Sequence, residues 1–377
     1  MPLGPTNHPS QMGWSSENLG LTGPVGDACD AVAALWPAVD RLRTVPDHRT
    51  DPLRRVHTAI ERRRELAERF DALRLFHGNA DGIDGLFIER FGAGATLIVH
   101  EGTAAMGLNI DELGRTVLEA ASALGVTSVY HKPFVRDRPA LGGLGDAVLT
   151  SATPLMGPAL GEFALMREGE ARYEVRLYDG FSTGLFLDQR ESRLRLPRML
   201  KMHRGGSPGR VLNTFSYTCS FSVAFALAGH HTASVDVSTR YLEWGKRNFA
   251  HSGVDLAGHG FFRRGTLEFL EQAARKGSRW DLVILDPPTF SAGSKAAGAS
   301  AWSAERDYAL LVSLAAAVLA PGGLIYASTN CRALCRGGAL LREVERGLGR
   351  PARLLDAPPS PEDFPGEDDR AHWILVG

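Results

Sequence analysis

The sequence predicts an α/β protein, with a parallel, doubly wound sheet in the C-terminal half and a smaller α/β domain before it. From Val211 onward, short apolar runs alternate with helix-length amphipathic segments. Residues 282–285 are apolar at every position, as expected of a strand covered on both faces. Residues 86–131 follow a different grammar, in which brief β-type runs are broken by Gly92 and Gly94.

Residues 1–26, rich in Gly, Pro, Ser and Asn without a sustained period, read as a flexible lead-in. Over 27–42, Ala31, Val32, Leu35, Trp36, Val39 and Leu42 recur at helical spacing. A second helix is expected over 52–73, with Arg62, Arg63 and Arg64 interleaved with Glu61 and Glu65 on a solvated face. Strands follow at 86–88 and 95–99, then a helix at 110–124, a strand at 128–131 and a Gly/Pro-rich passage over 139–161. Tyr173, Val175 and Leu177 alternate with charged residues, marking a hairpin strand at a domain junction within 164–180. The expected division is therefore an extension at 1–60, a small domain at 61–170 and the main domain at 171–377. In the last, strands at 210–214, 233–237, 261–263, 282–285 and 324–327 alternate with helices at 220–228, 241–252, 267–276 and 304–319. The turn Pro321-Gly322-Gly323 precedes the final strand.

A chain of 377 residues, 44% hydrophobic and 23% charged, suits two globular units. No run reaches the ~20 apolar residues of a membrane span. The N-terminus lacks the order of a signal peptide, so the cytoplasm is the default location. Four cysteines are too few for a disulfide framework, and Cys331 and Cys335 lack two further ligands nearby, so no metal is expected. The net charge of −1 is not that of a protein dominated by nucleic-acid binding. Residues 190–210 nonetheless carry Arg193, Arg195, Arg198, Lys201 and Arg204 against the single acid Glu191. That stretch reads equally as a solvated helix face or a phosphate-tracking strip.

Ligands of such a sheet bind beyond the carboxyl ends of its strands, so three loops matter. The first, NTFSYTCSFS at 213–222, is small and polar and opens a helix whose free N–H groups can receive a ligand's polar tail. It lacks G-x-G-x-x-G, which disfavours a dinucleotide, and it would also serve as a plain strand-to-helix turn. The second strand ends in Asp236, placed to accept hydrogen bonds from both hydroxyls of a ribose; Ser238 is the better helix N-cap. The third loop is Asp286-Pro287-Pro288-Thr289-Phe290. Its prolines remove two donors and stiffen the turn, leaving the carbonyls of Asp286 and Pro287 free to accept from a planar amine.

At these residues the sequence resembles a known family. VLNTFSYTCSFSVAFALAGHHTASVDVSTRYLEWGKRNF and WDLVILDPPTFS look like the large-subunit ribosomal RNA methyltransferases of the I and K groups. FSTGLFLDQRESR at 181–193, DGIDGLFIERFG at 81–92 and the terminal DFP and HWILVG fit the same family. The resemblance implies a Rossmann-like class I methyltransferase domain using S-adenosyl-L-methionine. Its cofactor-binding set would be Asp188, Gln189, Arg190, Asn213, Phe215, Ser216, Tyr217, Thr218, Cys219, Ser220, Asp236, Val237, Ser238, Gly265, Thr266 and Asp286. Phe215 to Ser220 would cup the methionine part, and Asp286, Pro287, Pro288 and Thr289 would face the target base. The small domain would recognise RNA, by the family's habit large-subunit ribosomal RNA, with Phe290 or Tyr217 stacking on a flipped base. The family's usual N-terminal PUA domain is not expected within these residues, a helical extension being expected in its place, and a homodimer stays open.

Three departures stand out. Cys219 occupies a position usually glycine, where backbone approaches the ligand. Thr266 replaces an acid that binds the adenine amino group, a hydroxyl being the weaker acceptor. Cytosine-C5 methylation needs a cysteine nucleophile, but in ASTNCR at 327–332 Thr329 aligns with it and Cys331 lies two residues beyond. Asn330 in that loop resembles the guanine-N7 group. Transfer to a ring or exocyclic nitrogen is therefore favoured, with Asn330 joining the catalytic set, while a role for Cys331 stays open. The alternatives are a small-molecule methyltransferase and an RNA-binding or assembly factor with a decayed cofactor site.

Overall fold

Two sheets organise the chain. The structure is a computed structural model describing residues 51–134, 147–366 and 371–375; residues from Pro52 onward form one compact unit. The helix expected at 27–42 lies outside the described residues, as does part of the passage at 139–161.

The first sheet opens with α1 (Pro52–Arg62) and α2 (Arg64–Arg69), followed by β1 (Ala72–His77), β2 (Leu86–Phe91), β3 (Gly94–His100), α3 (Ile110–Ala120) and β4 (Ser128–Phe134). Its order is β1-β2-β3-β4, antiparallel except for the β3–β4 pair, which α3 bridges. The single helix expected over 52–73 breaks twice. Arg63 leaves the helix and pairs with Asp81, while the Arg90 guanidinium donates to the carbonyls of Ala67 and Phe70 where the second segment ends. Beyond Phe70 the pattern Leu73, Leu75 has period two and becomes β1. Val56, Ala59 and Ile60 of α1 share a core with Leu73, Leu86 and Leu113, so the helix spanning residue 60 packs with the small sheet.

A hairpin of β5 (Ala164–Glu168) and β6 (Ala171–Val175) connects to the larger layer. There follow α4 (Arg190–His203), β7 (Arg210–Thr214), α5 (Ser220–Leu227), β8 (His231–Asp236), α6 (Thr239–His251), β9 (Gly260–Arg263), α7 (Thr266–Arg275) and β10 (Trp280–Leu285). A short ribbon pairs β11 (Phe290–Ser291) with β12 (Trp302–Ser303). The chain continues through α8 (Ala304–Ala316), β13 (Leu319–Ser328), α9 (Ala339–Leu348), β14 (Arg353–Leu355) and β15 (Ala371–Leu375).

The main sheet has the order β14-β15-β13-β10-β7-β8-β9. The strands read from sequence are parallel, as expected of buried βα units. The sheet as a whole is not: β15 runs antiparallel between β13 and β14, because the crossover through α9 skips one position and the last strand enters it from the opposite end. Strands β8 and β9 lie to one side of β7 and β10 to the other, which makes the ends of β7 and β10 the switch point.

Helix α4 corrects the reading of 190–210 on one face only: Arg195, Arg198 and Lys201 are exposed, as a solvated face requires. Leu196 and Leu200 pack with Val211, Leu282 and Leu324. Arg190 and Arg193 are almost wholly buried, ion-paired with Asp363 and Glu168. They are neither solvated nor available to phosphates; a buried charge must be paired, and each has found a partner far along the chain.

Candidate functional site

Beyond the carboxyl ends of β7, β8 and β10 lies a cavity of about 320 Å³, a size typical of ligand sites. Each loop singled out from the sequence contributes. Phe215 and Tyr217 come from the first, Asp236, Val237 and Ser238 from the second, and Asp286, Pro287 and Pro288 from the third. Gly265, Thr266, Asp188 and Asn330 complete the expected residues on its wall.

The first loop is backbone under constraint. Phe215, Tyr217 and Cys219 adopt left-handed φ values of 50°, 48° and 59°, each costing of order 1 kcal/mol or more for a residue with a side chain. Hydrogen bonds hold them there. Ser216 N–H donates to Val235 O, Cys219 N–H to Ser216 O, and Tyr217 N–H to Asp236 Oδ2 at 2.9 Å. The side chains of the loop divide between cavity and core. Phe215 and Tyr217 reach the cavity, whereas Ser216, Thr218 and Cys219 are buried and do not line it. Thr218 Oγ1 donates to Gly184 O, and its carbonyl accepts from Asn248. Cys219 packs against Gly245, where an added Cβ would stand 2.4 Å from its sulfur. The side chain that replaces the usual glycine thus points into the core and leaves the cavity unobstructed. Burial pushes its thiol up to about 12. Asn213 donates to Ser222 and, with Ser220, also lies off the wall.

Asp236 accepts from Ser238 N–H on Oδ1 as well as from Tyr217 on Oδ2. Burial raises its carboxyl above the usual range despite these bonds. The Val237 N–H also bonds to this carboxylate, and a carboxylate with about four lone-pair sites keeps acceptor capacity beyond these three donors. Ser238 is indeed the N-cap of α6, its Oγ accepting from Tyr241 N–H.

Asp286 sits at the head of a buried chain of polar groups. Ser328 Oγ donates to Asp286 Oδ1 at 2.5 Å, and Gln189 Nε2 donates to Ser328 Oγ at 3.0 Å. Tyr326 OH donates to Gln189 Oε1 and exchanges a bond with Ser192. Gln189 and Arg190 are thereby corrected: neither lines the cavity, Gln189 reaching it through Ser328 and Arg190 being held by Asp363. Thr289 is also off the wall, donating to Asn330 Oδ1 at 2.9 Å. Cys331 is 1% exposed with its sulfur 3.7 Å from Glu305 Oε1, inside the main core rather than at the cavity. Among the described residues no cluster suited to a metal occurs, and no helix is long and apolar enough to cross a membrane.

Sequence reasoning missed one wall. Glu268, Ala299, Ser300 and Trp302 line the cavity from α7 and the β11–β12 ribbon. Trp302 Nε1 donates to Pro288 O at 2.7 Å, and Glu268 accepts from both Ser300 N–H and Oγ. The run of small residues at 292–301 carries no periodicity that would reveal this; Trp302 alone was a signal, an aromatic shortly after a proline-rich loop.

Comparison with known proteins agrees with this geometry. A model of the S-adenosylmethionine-dependent methyltransferase family matches residues 150–373. The ribosomal RNA large subunit methyltransferase K/L of Legionella pneumophila (strain Corby) is 38% identical over 169 residues, covering 45% of this chain and 22% of that protein. The ribosomal RNA large subunit methyltransferase K of Neisseria meningitidis serogroup B is 36% identical over 177 residues, covering 47% and 48%. The chain thus spans less than half the length of either. Among solved structures, SMU.776, assigned as a methyltransferase and crystallised with SAH, superposes with a TM-score of 0.72 at 26% identity over 86% of this chain and 80% of that one. A SAM-dependent methyltransferase assigned in Streptococcus mutans gives 0.70 at the same identity and coverage.

Proposed function

The chain belongs to the S-adenosylmethionine-dependent methyltransferase family, and from that premise we propose that it methylates a base of large-subunit ribosomal RNA. The observation that carries the reading is the placement of Asp236 and the Asp286-Pro287-Pro288 turn on one cavity wall system. The cofactor's ribose and the acceptor's nitrogen can thus be held within a single enclosure. The names of the K/L and K relatives support RNA as the acceptor class.

The residues present fit the cofactor. Asp236, a desolvated carboxylate with acceptor capacity left, would hold the ribose hydroxyls. Val237 and Ser238 flank it, Thr266 and Gly265 would face the adenine, and Phe215 and Tyr217 the methionine part. A Cβ on Gly265 would collide with Glu268 at 2.1 Å and with Ala299 at 2.8 Å, so only glycine allows this wall to close. Bound there, S-adenosylmethionine supplies an electrophilic methyl group on a sulfonium.

The chain's own contribution is to place a nucleophilic nitrogen. Asp286 offers a carboxylate whose orientation Ser328 fixes, and Pro287 lends a stiff backbone without a competing donor. Asn330, itself fixed by Thr289, borders the same space. Among the described residues no cysteine lines the cavity, Cys331 being in the core, and a ring or exocyclic nitrogen is the acceptor that needs no thiolate. We assign the small sheet to RNA contact and the protein to the cytoplasm, where that substrate is found.

The test is transfer of labelled methyl from S-adenosylmethionine to unmodified, transcribed large-subunit ribosomal RNA. Label that enters the RNA and is released as a nitrogen-methylated base is the expected result. Label in no RNA, or only at cytosine C5, would overturn the reading.

A further inference from the structure

A second chamber of about 250 Å³ adjoins the first, with Ser182, Phe186, Asp188 and Asn330 on the walls of both. Its other side is built by the small sheet: Arg74 of β1, Phe87 and Glu89 of β2, and, with them, Phe364 from the segment after β14.

The polar part of this wall is an ion pair in which Arg74 Nη2 stands 2.6 Å from Glu89 Oε1, the side chains being 16% and 13% exposed. The guanidinium lies against two rings, 5.0 Å from the centroid of Phe87 and 4.2 Å from that of Phe364. Arg74 Nη1 is 3.1 Å from His77 Nδ1. Arg74 Nε, however, is buried and has no hydrogen-bond partner among the described residues. A buried donor left unmet is costly, and an acceptor brought in beside the guanidinium would offset that cost once the side chain turns to meet it.

The chemistry of a fitting ligand follows. It is flat, because the wall is aromatic. It carries an acceptor for Arg74 Nε beside a donor for the Glu89 carboxylate. It is not a strong anion, because the pair is neutral as a unit and its cation is already taken. A nucleobase meets all three conditions, since its edge sets donors and acceptors side by side on a ring that stacks.

We propose that this chamber receives the target base, flipped out of its RNA, and that Arg74 and Glu89 read its edge. The inference rests on the RNA reading above and adds that the small sheet takes part in choosing the base. The shared wall at Asp188 and Asn330 then brings the base's reacting atom to the cavity that holds Asp286.

The experiment uses the full chain saturated with S-adenosylhomocysteine and the four ribonucleoside 5′-monophosphates as probes, with contacts mapped by saturation-transfer NMR. One nucleotide should be contacted through its base protons. Its affinity should fall about tenfold in Glu89→Gln and in Arg74→Ala, the scale of one lost base-edge contact, with S-adenosylhomocysteine affinity unchanged. Glu89→Gln is nearly isosteric and serves if Arg74→Ala does not fold. Absence of base contacts, variants that bind as the wild type does, or a parallel loss of S-adenosylhomocysteine would each overturn the proposal. A wild type that binds a nucleotide by its base yet labels no ribosomal RNA would defeat the ribosomal reading alone. Labelled RNA with fully active variants would defeat the chamber alone.

Discussion

Ser328 and Asp286 are joined by a 2.5 Å hydrogen bond that locks the end of β13 to the first residue beyond β10. Ser328 is 1% exposed and is itself held by Gln189, so one oxygen of the carboxylate is fixed in place. Ser328→Ala should therefore lower kcat by about tenfold, the value of one hydrogen bond to a charged group. Steady-state kinetics on RNA decides it. Wild-type kcat in the variant would mean that the proline turn orients Asp286 unaided.

Asp236 should carry most of the cofactor's ribose recognition. Asp236→Ala removes two hydrogen-bond acceptors from a buried position, a loss of about 3 kcal/mol or roughly a hundredfold in affinity. Calorimetric titration with S-adenosylhomocysteine measures it. Because burial raises the carboxyl above its usual range, affinity should also fall on acidification sooner than an ordinary aspartate would require. A variant that keeps micromolar affinity would remove Asp236 from the cofactor site.

Cys219 and Gly245 should behave as one unit. Gly245→Ala places a methyl group 2.4 Å from the Cys219 sulfur and 2.8 Å from its Cβ, an overpacking expected to cost about 1–3 kcal/mol. Adding Cys219→Gly removes both obstructing atoms and puts glycine at φ 59°, where it is unstrained. Urea denaturation of the single and double variants should show the second change restoring most of what the first loses. Additive losses would mean that the contact is not the cause.

These contacts mark where the sequence was legible. Strands covered on both faces announce themselves as unbroken apolar runs, and an acid at such a strand's end, as at Asp236 and Asp286, is conspicuous. Arg190 and Arg193 were opaque because a run of arginines looks solvated. Their partners Asp363 and Glu168 lie 173 and 25 residues away, and only the fold supplies them. Strand β1 merged with the preceding helix because Leu73 fits either period, and the arginine that ends the helix comes from β2. Residues 292–301 show the opposite limit. Small side chains carry no pattern, yet their backbone closes a wall.

Cys331 should be dispensable for methyl transfer. Its sulfur faces Glu305 in a core shared with Leu334 and Tyr308, away from the cavity. Cys331→Ala should retain transfer activity within about twofold and lose about 1 kcal/mol of stability to the small void it leaves. Loss of activity in a folded variant, or a covalent complex with RNA trapped on Cys331, would restore the carbon-methylation route.

The Lys132 ammonium on β4 is buried and donates to the carbonyls of Gly180 and Phe181. Those carbonyls begin the segment that carries Ser182, Phe186 and Asp188 onto the cavity wall. Desolvation brings the lysine down to about 8 from the ordinary 10.5, Glu89 and Asp179 opposing the shift. The folded state thus binds this proton less tightly than the unfolded chain does. Below pH 8 the cost of burying the charge is present in full; from pH 8 to 10.5 the unfolded chain holds more protons, so stability rises with pH. The neutral amine still has two N–H groups for its two carbonyls, so the anchor survives deprotonation. Denaturation midpoints of wild type and Lys132→Met between pH 7 and 10.5 test this through their difference. That difference should widen in the wild type's favour as pH climbs, whereas a constant offset would show that Lys132 is an ordinary charged lysine.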